Sequence, residues 1–290
     1  VAIASMLVSG ALSALKITVG WMAGSMAVVS DGVESGADVF ASAIVLFGLS
    51  LAQKPPDAEH PYGHGRMETL AGLAVGVMLG LTGSGICFQA ALHLRDPRRL
   101  ETFAIWPLLV SMLAKAALAT TKFRVGRRIK SDALVADGWN DSVDILSAGA
   151  ALVGVSLALV NPARFASADS YGAFCVGIFV VFLGMRVVHD TTQQLMDRMP
   201  GPTMMAEIRR VALEAPEALA IEKCYARKTG LRYHVDLHLE VDPNMTVRES
   251  HNVAHDVRAR IVNELDWVAD VLVHVEPYPE TTLEGASRWK

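Results

Sequence analysis

Two stretches of this chain carry the same polar pattern within apolar surroundings. One reads Asp31-Gly-Val-Glu34-Ser-Gly-Ala-Asp38, the other Asp137-Gly-Trp-Asn140-Asp-Ser-Val-Asp144. In each, oxygen-bearing side chains recur at i, i+3 and i+7, which is one face of an α-helix. Glu34 with Asp38, and Asn140 with Asp144, are i,i+4 pairs whose side chains can converge on one point. A charge at membrane depth costs at least about 2.5–3.5 kcal/mol on insertion scales, so it lines a cavity or a pathway, or meets an opposite charge. Four oxygen ligands from two helices would suit a divalent cation. The plainer alternative is that these acids cap helices or pair with Lys16 and Lys115 on neighbouring helices.

Two more clusters contain metal-binding residue types. Asp57-x-x-His60-x-x-x-His64 lies in a polar stretch, KPPDAEHPYGHGR, and an Asp and two His at this spacing can reach one ion. They could equally be solvated loop residues. Near the C-terminal end stand His234, His238, His251, His255, His274 and Glu276. His251 and His255 are i,i+4 on a helical pattern, and His234 and His238 share the polar face of a strand. They are either a surface decoration or a divalent-metal site across a subunit interface.

The elements that must position these groups follow from hydropathy. The chain has 290 residues, of which 52% are hydrophobic, and its mean hydropathy is +0.33. A bilayer core of roughly 30 Å needs about 20 apolar residues as a helix. Six stretches qualify, approximately 1–23, 26–52, 67–93, 103–122, 133–160 and 169–190. The link from Lys122 to Lys130 carries Lys122, Arg124, Arg127, Arg128 and Lys130, which places it on the cytoplasmic side by the positive-inside rule. An even helix count then puts both termini inside, against Arg95, Arg98 and Arg99 on the outer side. The membrane is expected to be the cell (inner) membrane. The chain opens within an apolar stretch without Met, so an N-terminal piece is expected to precede it.

Met199-Pro200-Gly201-Pro202 marks a change of composition, and the residues beyond it read as a charged, soluble α+β domain. Residues 203–213 form an amphipathic helical pattern and 221–227 a short strand. Tyr233 to Val241 alternates with period two, a half-buried strand. A helix over 247–262 and a strand over 271–275 complete an αββαβ order, a small open sheet with helices on one face. The expected division is 1–199 for the membrane domain, 200–280 for the cytoplasmic domain and 281–290 for a tail. Net charge −4 gives no reason to propose nucleic acid as a partner, and Cys87, Cys175 and Cys224 suggest neither a disulfide framework nor a thiolate zinc site.

The runs SMAVVSDGVESGADVFAS, HPYGHGRMETLA, ALVADGWNDSVDILSAG and HLEVD…SHNVAHDV…VLVHVEP together resemble the cation diffusion facilitator family, in the family's order over essentially the whole chain. The resemblance implies six transmembrane helices and a metallochaperone-like domain in a homodimeric efflux carrier, a secondary transporter and not an enzyme. Many members exchange their metal for protons. It implies a transport site at Glu34, Asp38, Asn140 and Asp144, a loop site at Asp57, His60 and His64, and a dimer-interface site at His238, His251, His274 and Glu276. Glu222 stands where a further His is often found. Arg66 and Asp197 match a basic–acidic interlock at the cytoplasmic membrane surface. Zinc-transporting members usually carry His or Asp at the position of Glu34 and His at that of Asn140. The all-oxygen set here is expected to move Mn2+ or Fe2+ at least as well as Zn2+. Rival readings are an intramembrane Mg2+-dependent enzyme such as a prenyltransferase, which would want Lys or Arg beside the acids, and a non-transporting, metal-sensing partner subunit of the same family.

Overall fold

The computed structural model describes residues 2–94, 100–129 and 132–279, and within them all side chains but those of 2–5, 126, 127, 129, 132–137, 140 and 163. Asp137 and Asn140 are therefore placed by backbone alone. Arg95, Arg98, Arg99, Lys130 and the tail 281–290 lie outside the described residues.

Among the described residues, six helices are long and apolar enough to cross a membrane. They are α1 (Ala2–Ala23), α2 (Met26–Ala52), α3 (Arg66–His93), α4 (Ile105–Ile129), α5 (Asp132–Val160) and α7 (Ala168–Leu195), with a one-turn helix α6 (Pro162–Phe165) between the last two. The basic segment expected as the α4–α5 connection is instead a continuation of α4 through Ile129. Lys and Arg are good helix formers and no proline interrupts them. Lys122 is moreover only 1% exposed, because its ammonium is paired inside the bundle.

The chain divides into two compact units. One comprises the residues up to Ser50 with Leu70–Thr191, the other Leu51–Thr69 with Thr192 onward. In the first unit one apolar cluster is made mostly of small side chains, Ala23, Ala27, Val28, Ala90, Ala151, Val155 and Ala173, around Leu108. Small residues let helix backbones approach closely, which is how helices hold together in lipid. α3 and α7 show the limit of this: a Cβ built on Gly184 would lie 2.6 Å from the Gly80 nitrogen, so only glycine fits. The large apolar side chains point outward, among them Trp21 (75% exposed), Leu146 (74%), Leu113 and Phe40. A skin of this kind would aggregate in water and is the solvated surface in a bilayer.

The second unit holds a three-stranded sheet of β1 (Ala220–Thr229), β2 (Arg232–Val241) and β3 (Val268–Pro277), in that order, with α8 (Pro202–Leu213) and α9 (Val247–Glu264). β1 and β2 are antiparallel through the Gly230-Leu231 turn; β2 and β3 are parallel, joined by α9 as the crossover. Val235, Leu237, Leu239 and Val241 on β2 pack with Ile208 and Val211 of α8 and Val253, Val257 and Ile261 of α9. Both helices therefore cover one face of the sheet. α9 starts with a capping box in which the Glu249 backbone N–H donates to the Thr246 hydroxyl and the Thr246 N–H to the Glu249 carboxylate. The Thr246 hydroxyl also donates to this carboxylate, and that bond, followed by the one from the Thr246 N–H, holds the Glu249 carboxyl below the usual range.

Candidate metal sites

α2 carries the first acidic face, and buried polar contacts fix its position. At its start, Asp169 of α7 accepts hydrogen bonds from Ser25 Oγ (2.5 Å) and the Met26 backbone N–H (2.6 Å), with the Ala27 N–H at 3.3 Å. The first N–H groups of a helix have no partner within it, and a carboxylate there also meets the positive end of the helix dipole. One turn further, the Lys16 ammonium of α1 lies 2.8 Å from Asp31 Oδ2 and donates to Ser35 Oγ at 2.6 Å. Asp31, the first residue of the repeated pattern, is thus the partner of a buried lysine, as the plainer reading has it.

Glu34 and Asp38 come next on the same helix. Glu34 is 5% exposed, and its carboxylate accepts from Ser147 Oγ of α5 at 2.5 Å. Ser147 is one turn beyond Asp144, so the two polar faces meet there. Asp144 Oδ2 lies 2.5 Å from the Lys115 ammonium of α4, which also reaches Asp141 Oδ1 at 3.1 Å. Asp141 Oδ2 in turn lies 2.6 Å from Lys122. These charges are buried, and a buried charge is tolerated only with such partners. Glu34, Asp38 and Asp144 are not gathered as ligands around one point: Ser147 engages the first and Lys115 the last. Ser147, Asp141, Lys122 and Asp169 escaped the sequence reading. Ser147 could have been found by extending the polar face of Asn140 and Asp144 one more turn, and Lys122 by its i+7 spacing from Lys115. Nothing local points to Asp169.

Among the described residues, two groups bring three potential ligand atoms within 4.8 Å of one another. The first is Asp57, His60 and His64, between α2 and α3. Asp57 Oδ1 accepts from the backbone N–H groups of His60 (2.7 Å) and Glu59 (3.0 Å), an Asx-type turn. His60 Nδ1 and His64 Nε2 lie 3.5 and 3.4 Å from its two oxygens. The His60 N–H above all holds the Asp57 carboxyl below the usual carboxylate range, which keeps it ionised for a cation. The same loop rests on the β1–β2 turn: a Cβ on Gly65 would lie 2.8 Å from the Thr229 carbonyl oxygen, and Gly230 has φ +67°.

The second group is His238, His274 and Glu276, on the face of the sheet opposite α8 and α9. His238 pairs with His274, and Glu240 with Glu276, across the parallel ladder. His238 Nδ1 is 2.6 Å from Glu276 Oε1, and His274 Nε2 is 3.6 Å from it. Glu222 joins them with its carboxylate 3.8 Å from His238. The neighbouring Glu222 and His238 side chains keep the Glu276 carboxyl low. Burial, reinforced by Glu222 and Glu276, pushes the Glu240 carboxyl up. His251 does not join this group: it is exposed on α9, which covers the other face of the sheet. His255 is exposed beside it, and His234 sits edge-on to Tyr62 with ring centroids 6.2 Å apart. Arg66 and Asp197 form an ion pair at 2.7 Å with both side chains 48% exposed. Asp197 has φ +57° at the end of α7, a conformation Asp tolerates better than most residues.

A lipid-facing six-helix bundle with ionisable groups at its centre, joined to a small metal-ligand-bearing domain, is the layout of a membrane carrier for cations. The model of the cation efflux transmembrane domain matches residues 2–196, and that of the cytoplasmic domain of cation efflux proteins matches 186–278. The chain belongs to the cation diffusion facilitator family and is an integral membrane transporter of metal cations. The manganese efflux system protein MneP of Bacillus subtilis is 30% identical over 285 residues, 97% of this chain and 96% of that protein. The magnetosome protein MamB of Paramagnetospirillum magneticum is 28% identical over 92% of this chain and 90% of its own length. The cation-efflux pump FieF of Yersinia enterocolitica is 26% identical over 100% and 96%. The solved MamM-CTD 215-293 structure aligns with 26% of this chain at 22% identity and a TM-score of 0.26. Membership of a transporter family does not favour the enzyme reading. The lysines that reading wants are present, but Lys115 and Lys16 are already paired with carboxylates.

Proposed function

We propose that this chain is a homodimeric efflux carrier that exchanges Mn2+ or Fe2+, at least as readily as Zn2+, for protons by alternating access. The reading is carried by one observation: the acidic faces of α2 and α5 meet inside the bundle, where the Glu34 carboxylate takes the hydroxyl of Ser147 next to Asp144. The metal would bind Glu34, Asp38, Asn140 and Asp144 from the cytoplasmic side and leave outward. Protons would take its place on the carboxylates, since no histidine belongs to this set. Carboxylate and carbonyl oxygens suit Mg2+ and Mn2+, with Fe2+ between them and Zn2+, which imidazole nitrogen favours. The name of the Bacillus subtilis relative, a manganese efflux protein, agrees with this order.

In the same proposal residues 1–199 form the membrane domain and 200–280 the dimerising domain, with both termini cytoplasmic in the cell (inner) membrane. Asp57, His60 and His64 hold a loop ion. His238, His274 and Glu276 hold a regulatory ion that His251 completes from a second copy, because α9 places it on the far side of its own sheet. Flux into proteoliposomes with Zn2+, Mn2+, Fe2+ and Mg2+ in parallel tests the reading. Asp38→Ala and Asp144→Ala should abolish flux in folded dimers, and Asn140→His should move the preference toward Zn2+. Wild-type rates in either alanine variant would sink the site. A strong wild-type preference for Zn2+, unchanged by the histidine, would sink the choice of metal.

A further inference from the structure

We propose that Lys115 is the resident counter-ion of the transport site: its ammonium occupies Asp144 in the metal-free carrier, and the arriving cation displaces it onto Asp141. The proposal rests on the transport-site reading above.

Three features of the structure support it. Lys115 bridges the two acids, 2.5 Å from Asp144 and 3.1 Å from Asp141, at 3% exposure. Asp141 and Asp144 are i,i+3 on α5 and so share a helix face. A lysine ammonium is a compact charge on a flexible stem, so leaving one carboxylate for the other takes rotation of its last torsions and no backbone shift. The two acids are not equivalent. Asp141 also has Lys122, at 2.6 Å on its other oxygen, whereas the described ion pair of Asp144 is with Lys115. Asp141 therefore stays compensated whichever way Lys115 leans and serves as the landing position. Among the described residues Asp144 is compensated by Lys115, and a bound metal would take that place. A dication on the Asp144 carboxylate would sit within a few ångströms of the ammonium in a medium of low dielectric, where like charges repel strongly. Occupancy by the two is mutually exclusive, and each turnover would end with the lysine returning to Asp144 as the metal departs.

A lysine that only ties α4 to α5 makes different predictions, because its loss would lower the amount of folded protein without changing metal affinity. Mn2+ flux into proteoliposomes by the full-length chain separates the two. Lys115→Met should lower the apparent KM by at least about tenfold and also lower the maximal rate, since nothing then helps expel the ion. Lys115→Arg keeps the charge but can grip the carboxylate with two parallel hydrogen bonds, and should raise KM by about threefold or more. Should the methionine variant fail to fold, the arginine variant carries the test, and an unchanged KM there overturns the proposal. Asp144→Asn separates this proposal from the site itself. Wild-type flux in Asp144→Asn removes the transport site and the counter-ion with it. Lost flux in Asp144→Asn together with an unchanged KM in Lys115→Met leaves the site standing and removes only the counter-ion.

Discussion

The Asp169 carboxylate offers the sharpest test of how the acidic face of α2 is held in place. It is 4% exposed and accepts two short hydrogen bonds, from Ser25 Oγ and the Met26 N–H, with a longer one from Ala27. Hydrogen bonds to a charged group contribute about 1.5–3 kcal/mol each. A carboxylate at a partly buried helix N-terminus adds up to about 2 kcal/mol. Against these stands the desolvation of Asp169 itself, which alanine avoids. Asp169→Ala should therefore cost about 3 kcal/mol net, comparable to breaking other buried charged contacts. By the scaling of domains of 150–250 residues, that is a drop in Tm of roughly 6–12 °C. Asp169→Asn keeps one acceptor oxygen and should lose about half as much. Ser25→Ala removes both the hydroxyl that accepts from the Val28 N–H and its hydrogen bond to Asp169, and should cost about 2 kcal/mol. Thermal unfolding of the purified full-length protein in detergent measures all three, and the double variant Ser25→Ala/Asp169→Ala gives their coupling. Flux should fall with Tm, because Glu34 and Asp38 ride on the same helix. A Tm for Asp169→Ala within about 2 °C of wild type, or strictly additive losses in the double variant, would refute this account of the α2 cap.

Other expectations concern the second unit. The Arg66–Asp197 pair is half exposed and should contribute about 1 kcal/mol or less to stability; a charge swap at both positions should restore flux lost in either single reversal, and a dead double swap argues against a direct pair. Residues 201–279 alone should fold, dimerise and melt higher with Mn2+, Fe2+ or Zn2+, as bound metal stabilises the state it prefers. His251→Ala should weaken that response only if metal bridges two copies, which sedimentation with and without metal reports. Burial, then Arg227, holds the His234 imidazole below its ordinary range. A histidine depressed in the folded state contributes stability that is present above its unfolded pKa and lost as pH falls toward the folded value. Acidification below about pH 6.5 should thus cost on the order of 1 kcal/mol or less, a loss absent in His234→Asn.

How much of this could be read beforehand depended on the range of the interactions. The membrane helices were legible because each is a local run of apolar residues, and the αββαβ order because β2 alternates cleanly from Tyr233 to Val241. The continuation of α4 through Arg128 was not: its charges suggest a loop, although Lys and Arg are good helix formers, and the burial of Lys122 against Asp141 of α5 is a contact that no local pattern shows. The i, i+3, i+7 rule selected Asp31 and passed over Asp141. Yet Asp31 is spent on Lys16, and Asp141 sits between two lysines. Which acid meets which cation depends on helix neighbours far apart in the chain, and no local periodicity carries that. The candidate ligand triads at the loop and on the sheet were legible in part. Asp57, His60 and His64 lie within one turn-rich loop. His274 joins His238 only through the parallel ladder, and His251 is turned away by the face that α9 packs.

The seat of the α2–α3 loop on the β1–β2 turn bears on how chimeras of such carriers should be cut. Gly65 and Gly230 touch backbone to backbone, and the loop residues Leu51–Thr69 belong to the same compact unit as the chain from Thr192 onward. That unit is discontinuous in sequence. Grafting a foreign tail at Pro200 would leave the native loop against a turn it did not evolve with, and any side chain in place of either glycine would hold the two apart. A transplant that moves residues 51–69 together with everything after Thr192 keeps the contact whole, so the exchangeable part of this protein is a pair of segments and not its C-terminal end.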